Sequence, residues 1–574
     1  MEVAAPPAAR PSRSGRRRRP PGWAVASLLV ALVVAGPLAA LPLSFVLEPS
    51  AFGAVADSLL GEALRASVVL ALGVGAGTLL LGGSLAALVS FYDFPGRRWL
   101  DWALVLPLAM PAYVLVFVLL GQYDEASPLQ STLRALLGDG FQLPEVRSTA
   151  GAIVVLTLVL YPYVYILGRG AFLEQSRDTM EAARTLGLGH GRAIRRVALP
   201  LARPALAAGA ALAVMEALAD FGAVNLLNYR AMTDAIYRVW YGAFDQAAAL
   251  QLATILLGLS LALIALERLM RGRARYHGAL ARGEAVVPRR LHGPRAALAA
   301  ALPVLLLVLV LAGPVIQLVA WAIGSLGEGA AAADLARDAL TSLALAGLAA
   351  LLAAATATVV VYGRRTRPSR LGSVAARLGT LGYAVPGTVV AVAVYTPLAW
   401  LDRRIVDGGR DVLGIDLGLL FTGTILGLVV AYVVRFQALA FFSVDSRMRR
   451  VDPALDDAAR SLGADANRVL ADVHLPLLWP GIVTAALLVF VEVMKELPAT
   501  ALLRPLGGDT LAVAVWEATR DSRFEVAALP ALLIVAVGLV PVVLAIRYAR
   551  GDAGALIGPS ADGADQRSDL EARG

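Results

Sequence analysis

The chain contains no cysteine. Disulfides, thiolate metal centres, iron–sulfur clusters and cysteine nucleophiles are therefore all excluded. Histidine is nearly absent as well: His190, His277, His292 and His474 are the full set. They are too few and too scattered for a histidine-built metal site. Lys495 is the single lysine, the other basic residues all being arginine. Charge of either sign is scarce, at 16% of 574 residues, where soluble proteins carry about 25%. No GxxxxGK[ST] phosphate loop, GxSxG elbow or HExxH pair occurs, so the chain has no nucleotide-hydrolysing or hydrolase signature of its own. What the chain has in excess is apolar residues, 58% of the total, with a mean hydropathy of +0.70.

Those residues fall into runs long enough to cross a bilayer, which takes roughly 20 residues of helix. The runs are Trp23–Leu47, Ser67–Phe91, Trp102–Leu120, Ala150–Gly168, Leu206–Leu226 and Ala247–Leu266, then Ala296–Ile323, Leu340–Tyr362, Leu378–Leu401, Leu419–Phe442, Ile482–Leu503 and Val526–Ile546. An all-α polytopic membrane protein of twelve spans is expected. With the N-terminus cytoplasmic, 37 of the 51 Lys and Arg residues fall on the cytoplasmic side. That exceeds the opposite side by about three to one, the asymmetry that sets orientation. Both termini are then cytoplasmic. The run Arg16–Arg19 before Trp23 reads as an orientation signal on an uncleaved anchor. The net charge of +8 belongs to membrane loops rather than to nucleic-acid binding.

The chain repeats itself at an offset of 276. Glu181-Ala182-Ala183-Arg184-Thr185-Leu186-Gly187 recurs as Asp457-Ala458-Ala459-Arg460-Ser461-Leu462-Gly463. The register holds without a gap through Leu199-Pro200-Leu201 and Leu475-Pro476-Leu477. Of 24 positions, 11 are identical, where chance gives about two. Each copy lies between the fourth and fifth spans of its half, so the halves are six-helix repeats of the same orientation. The expected organisation is a basic tail (1–22), a first repeat (23–270), a cytoplasmic linker (271–295), a second repeat (296–549) and a tail (550–574). Within each loop, Asp178 or Asp452 is placed to cap a short helix. Gly187 and Gly463 suit a turn that a Cβ would resist. Pro200 and Pro476 suit the start of the next helix.

This pattern resembles the EAA signature of permease subunits of bacterial ATP-binding-cassette importers. The resemblance implies a MetI-like, type I importer permease in which two six-helix repeats are fused. It implies that Glu181, Ala182, Ala183, Gly187, Leu199 and Pro200, with Asp457, Ala458, Ala459, Gly463, Leu475 and Pro476, form coupling loops docking two copies of a cytoplasmic ATPase. ATP and Mg would be bound by those partners, leaving this chain without cofactor or resident metal. An extracytoplasmic binding protein would deliver cargo to the outer face of this chain in the inner membrane. The strings Glu492-Val493-Met494-Lys495-Glu496-Leu497-Pro498-Ala499-Thr500, Asp220-Phe221-Gly222 and Ala235-Ile236-Tyr237-Arg238-Val239-Trp240 are similar to ferric-iron importer permeases, with fused thiamine permeases the nearest competitor.

Five ionisable residues sit inside the two equivalent fifth spans: Glu216 and Asp220 at i, i+4, and Glu492, Lys495 and Glu496 at the same place in the second half. A charge at mid-span costs a few kcal/mol unless paired or wet. They are expected to form a polar seam, as an ion-pair network or as the cargo path. The four histidines are expected to be loop residues without a special role.

Overall fold

A computed structural model describes residues 22–48, 52–53, 56–125, 127–175, 181–183, 185–271, 288–325, 329–366, 370–415, 418–505 and 508–556. The Arg16–Arg19 run, Asp178, Arg184, His277, most of the linker and residues 557–574 of the expected tail lie outside the described residues; helix is described through Leu556, past the expected start of the tail at 550. The fold is all-α. Its first half comprises α1 (Gly22–Leu47), α2 (Gly61–Phe91), α3 (Ala112–Tyr123), α4 (Thr149–Leu173), α5 (Leu199–Ala219), α6 (Gly222–Leu226), α7 (Met232–Tyr241) and α8 (Gln246–Arg271). The second half comprises α9 (Pro294–Ser325), α10 (Gly329–Thr366), α11 (Gly387–Gly408), α12 (Ile425–Met448), α13 (Pro453–Ser461), α14 (Leu475–Met494), α15 (Pro498–Leu503), α16 (Leu511–Arg520) and α17 (Phe524–Leu556). The only strands among the described residues are β1 (Tyr92–Asp93) and β2 (Arg289–Arg290), a parallel pair that clasps the end of the linker to the first half.

Each half is built on one packed trio. In the first, α2, α4 and α5 lie together; in the second, α10, α12 and α14 do the same. The halves are tied by exchange, because α1 packs on α10 and α11 of the other half. Ser27 and Trp23 mediate this. The Ser27 hydroxyl donates to the Val359 carbonyl at 3.3 Å, and Trp23 packs edge-on to Tyr362 with ring centres 5.1 Å apart. Small residues let the trios close, as in other helix pairs that gain nothing from apolar burial in lipid.

Ten helices are long and apolar enough to cross a membrane, among the described residues. The remaining two of the twelve runs are broken, and the breaks recur. The stretch expected as Trp102–Leu120 bends by 88° between Arg97–Ala109 and Ala112–Tyr123. The stretch expected as Leu378–Leu401 is a 3-10 turn, Leu381–Ala384, followed by α11. In both, the break falls at a proline, Pro111 or Pro386, whose φ and ψ are extended. Proline has no N–H to continue the ladder, and its fixed φ restarts a helix. The fifth runs, expected as Leu206–Leu226 and Ile482–Leu503, also end early. Their helices stop at Ala219 and Met494 and extend further back, through Leu199 and Leu475.

Gly209 of α5 shows how tightly the first trio is drawn. A Cβ there would lie 2.7 Å from Val164 Cα and 2.9 Å from the Tyr163 carbonyl, both backbone atoms of α4. Gly258 of α8 has no atom within 4 Å of such a Cβ. Gly209→Val is expected to lower stability by about 1–3 kcal/mol, the usual cost of overpacking. Gly258→Ala should be neutral or stabilising, since alanine is the better helix former by about 1 kcal/mol. Thermal melts of the two purified variants in one detergent check both.

Candidate functional site

The two early helix ends place the site. α5 stops at Asp220 and α14 at Lys495, and each is followed by a short helix, α6 or α15. A helix N-terminus leaves unpaired N–H groups, and in a bilayer no water satisfies them. The chain supplies carboxylates. Asp220 Oδ1 accepts from the Ala223 N–H at 2.7 Å, and Glu496 Oε1 accepts from the Ala499 N–H at 3.0 Å. These are twin bonds at the repeat offset. Asp220 and Glu496 thus cap buried helices, while Glu216 and Glu492 lie one turn earlier on α5 and α14.

All five expected seam residues line one cavity of about 120 Å³ between the halves. The structure adds Arg435 of α12 and the Tyr113 and Tyr163 rings. An adjoining pocket of about 90 Å³, lined by Met215, Leu439, Glu216 and Arg435 among others, continues it toward the repeated loops. Arg435 Nη1 donates to Glu496 Oε1 at 2.8 Å, and Lys495 Nζ pairs with Glu492 Oε1 at 2.9 Å. Glu496 is almost fully buried, whereas Lys495 and Glu492 retain 25% and 38% exposure of their side chains, so the second pair faces the void. Four carboxylates against two cations give the lining a formal charge of −2. No group of three or more His, Asp or Glu is placed to hold a metal, among the described residues. Between the cavity-lining Asp220 and Gly222, Phe221 turns its ring into a cluster with Tyr237 and Trp516, ring centres 4.8–5.6 Å apart, which forms a roof at the end of α5 away from the repeated loops.

Arg435 was not singled out in the sequence, although it is the single charged residue of the run Leu419–Phe442. Its seat requires the break in the neighbouring run. A Cβ on Gly387, directly after Pro386, would overlap Arg435 Nη1 and come within 2.7 Å of Glu496 Oε1.

The repeated loops lie at the other end of α5 and α14. Gly187 and Gly463 have φ of +82° and +85°, the left-handed region that favours glycine. Asp452 caps α13, its Oδ1 accepting from the Ala454 N–H at 2.9 Å. Pro200 and Pro476 occupy the first turn of α5 and α14. Glu181, Ala182, Asp457 and Ala458 are exposed, while Ala183 is buried and Ala459 half-buried. Leu199 and Leu475 are also exposed. The most exposed apolar side chains of the loops are Leu186, at 83%, and its twin Leu462, at 88%. The identity at this position was visible in the repeat, but its exposure was not.

His474 departs from the expectation of an idle loop residue. It is fully buried, and its Nε2 lies 2.9 Å from Asp456 Oδ1. Arg365 Nε donates to Asp456 Oδ2 at 2.9 Å and ties α13 to the end of α10. Burial works against the Asp456 carboxylate. The Arg365 hydrogen bond and the neighbouring His474 outweigh it and hold the group below the usual carboxylate range.

The geometry agrees with the comparison to known proteins. The model of the family described as binding-protein-dependent transport system inner membrane component matches twice, over residues 79–276 and 346–550. The chain belongs to this family. It is an ATP-binding-cassette transporter permease subunit, a transport protein of the multi-pass membrane type. A Fe(3+)-transport system permease protein of Haemophilus influenzae is 26% identical over 93% of this chain and 99% of its own. A putative 2-aminoethylphosphonate transport system permease protein of Salmonella choleraesuis is 30% identical over 43% of this chain and 92% of its own. A molybdate/tungstate transport system permease protein of Pyrococcus abyssi is 26% identical over 38% of this chain and 82% of its own. Permeases of this family work with ATPase and binding-protein partners.

Two outcomes are expected of this permease. Gly387→Ala should displace the Arg435 guanidinium and break its pair with Glu496, lowering stability by roughly 3–5 kcal/mol, the cost of a broken buried pair; a melting curve beside that of Gly379→Ala reads it. Asp456 has its folded pKa depressed, so its contribution is fully present above the unfolded value near pH 4 and is lost as pH falls through the folded value. The melting-temperature gap between the native chain and Asp456→Ala should therefore be present at neutral pH and shrink below about pH 4.

Proposed function

We propose that this permease carries ferric iron through the cavity between its halves. The observation that carries the reading is the charge of that cavity. A lining with a formal balance of −2 in a low-dielectric setting attracts a cation and opposes an oxyanion. Molybdate and aminoethylphosphonate, named for two relatives that match less than half of this chain, each carry negative oxygens. The relative named for Fe(3+) is similar over nearly the whole of both chains. Carboxylate and phenol oxygens suit a hard cation. Glu216, Asp220, Glu492, Lys495 and Glu496 are then residues of the path. Glu492 and Glu216 meet the cargo, while Asp220 and Glu496 hold the short helices in place.

The rest of the reading follows from the repeated loops. Two copies of the ATPase dock on Glu181–Gly187 and Asp457–Gly463, on the cytoplasmic side, and the exposed Leu186 and Leu462 enter the partner surfaces. Leu199-Pro200 and Leu475-Pro476 transmit the movement into α5 and α14, whose far ends bear the path residues. ATP and Mg stay with the partner. Both termini lie in the cytoplasm, and cargo arrives from a binding protein on the opposite face of the inner membrane.

Radiolabelled iron uptake into proteoliposomes of the whole transporter tests the cargo. Uptake should require ATP and fall at least tenfold in Glu216→Gln. Transport of labelled thiamine, molybdate or aminoethylphosphonate in place of iron would overturn the cargo assignment. Leu186→Asp and Leu462→Asp place a charge on each loop without touching the core. Each should reduce co-purification of the ATPase while the melting temperature of the permease stays unchanged; normal co-purification by both would remove the docking assignment.

A further inference from the structure

The roof over the cavity is held by a chain of hydrogen bonds that runs from one half into the other. Trp516 of α16 donates its Nε1–H to Asn225 Oδ1 of α6 at 3.0 Å. Asn225 Nδ2 donates to Asp234 Oδ1 of α7 at 2.7 Å. Asp234 is fully buried, and its other oxygen accepts from Arg238 Nε at 2.5 Å. Arg520 lies over the Trp516 ring at 5.0 Å, and the Thr233 hydroxyl donates to the Asp220 carbonyl at 2.9 Å. The indole is thus part of the aromatic roof, and α7, which bears Asp234, is tied to the capped end of α5. A second tie crosses the same boundary: the Tyr241 hydroxyl donates to the Leu502 carbonyl at 3.0 Å.

The repeat makes this arrangement one-sided. At the same offset, Trp516 corresponds to Trp240, but Asn225, Asp234 and Arg238 correspond to Ala501, Thr510 and Ala514. None of these three offers a carboxamide, carboxylate or guanidinium. Trp240 instead packs edge-on to the Tyr395 ring at 4.8 Å. The polar chain exists once, in a molecule whose scaffold is doubled.

We propose that Trp516 and Asn225 form a one-sided latch that keeps the roof shut, and that the mouth away from the ATPases opens by parting this bond. Asp234 and Arg238 are positioning residues: they fix the Asn225 amide with its oxygen toward the indole. A buried donor and acceptor that separate without new partners each bear an uncompensated desolvation cost, so the bond resists opening until water or a docked partner reaches the gap. The twin tryptophan has no such bond to lose, so the first-half side of the roof is where opening is controlled. The latch does not depend on which cargo passes.

The absence of cysteine allows a direct test. A single cysteine at Ala219, below the roof, reports access of a membrane-impermeant charged methanethiosulfonate applied to the outer face of right-side-out vesicles holding the whole transporter without nucleotide. Trp516→Phe keeps the ring and removes the donor, and Asn225→Leu removes the acceptor. Each should raise the labelling rate about tenfold, equivalent to about 1.4 kcal/mol. The two together should give little more than Asn225→Leu alone, because that variant already lacks the bond that Trp516→Phe removes. Trp240→Phe should leave the rate unchanged. A cysteine at the buried Ala353 must remain unlabelled in every variant, which separates opening from unfolding; if Trp516→Phe fails this control, Asn225→Leu decides. Unchanged labelling in well-folded Asn225→Leu, or equal acceleration by Trp240→Phe, would overturn the latch.

Discussion

The need to satisfy helix ends at membrane depth governs this molecule. Two long helices stop short, and two short helices begin where no bulk water is available. A carboxylate at each junction receives a free N–H group; Glu496 also holds Arg435, while Glu492, one turn earlier, holds Lys495 in the space between the halves. Without the breaks there would be no room for Arg435, which rests against a glycine that follows a proline. Without the caps the breaks would leave unsatisfied backbone. The polar cavity is thus the result of interrupted helices, and its charge is held by the bonds that make the interruption tolerable.

Energetically, the charges divide by what they touch. Glu496 is bonded to a guanidinium and a backbone N–H and is almost fully buried, so its replacement would orphan a cation. Glu492 and Lys495 are more exposed to the void, where water screens the loss of either one. The seam thus combines a buried structural pair, Arg435 with Glu496, and a more exposed pair, Lys495 with Glu492, that faces the void.

Much of this was legible in the residues. The offset of 276 located both loops, and glycine at 187 and 463 turned out to have the positive φ that its position implied. The acids at i, i+4 marked the right helix faces. Helix ends were less accessible. Hydropathy runs straight through Asp220 and Lys495, because the short helices beyond them are as apolar as the spans. A proline within an apolar run did not by itself announce a break: Pro162 sits inside an intact α4, whereas Pro111 and Pro386 end their neighbours. The difference lies in tertiary packing, which a single sequence does not display. His474 was misread for the same reason, since its partners Asp456 and Arg365 are distant along the chain.

Fusion of the halves has a consequence for what a cavity of this kind is able to contain. At the repeat offset, Arg435 corresponds to Val159 and Lys495 to Ala219, and all four line the same space. In a transporter assembled from two identical chains, every residue near the axis appears twice, and a guanidinium there would confront its own copy. Joining the genes removes that obligation. One half is free to acquire a cation while the other keeps an aliphatic side chain, and the balance of charge at the centre becomes adjustable by single units rather than by pairs.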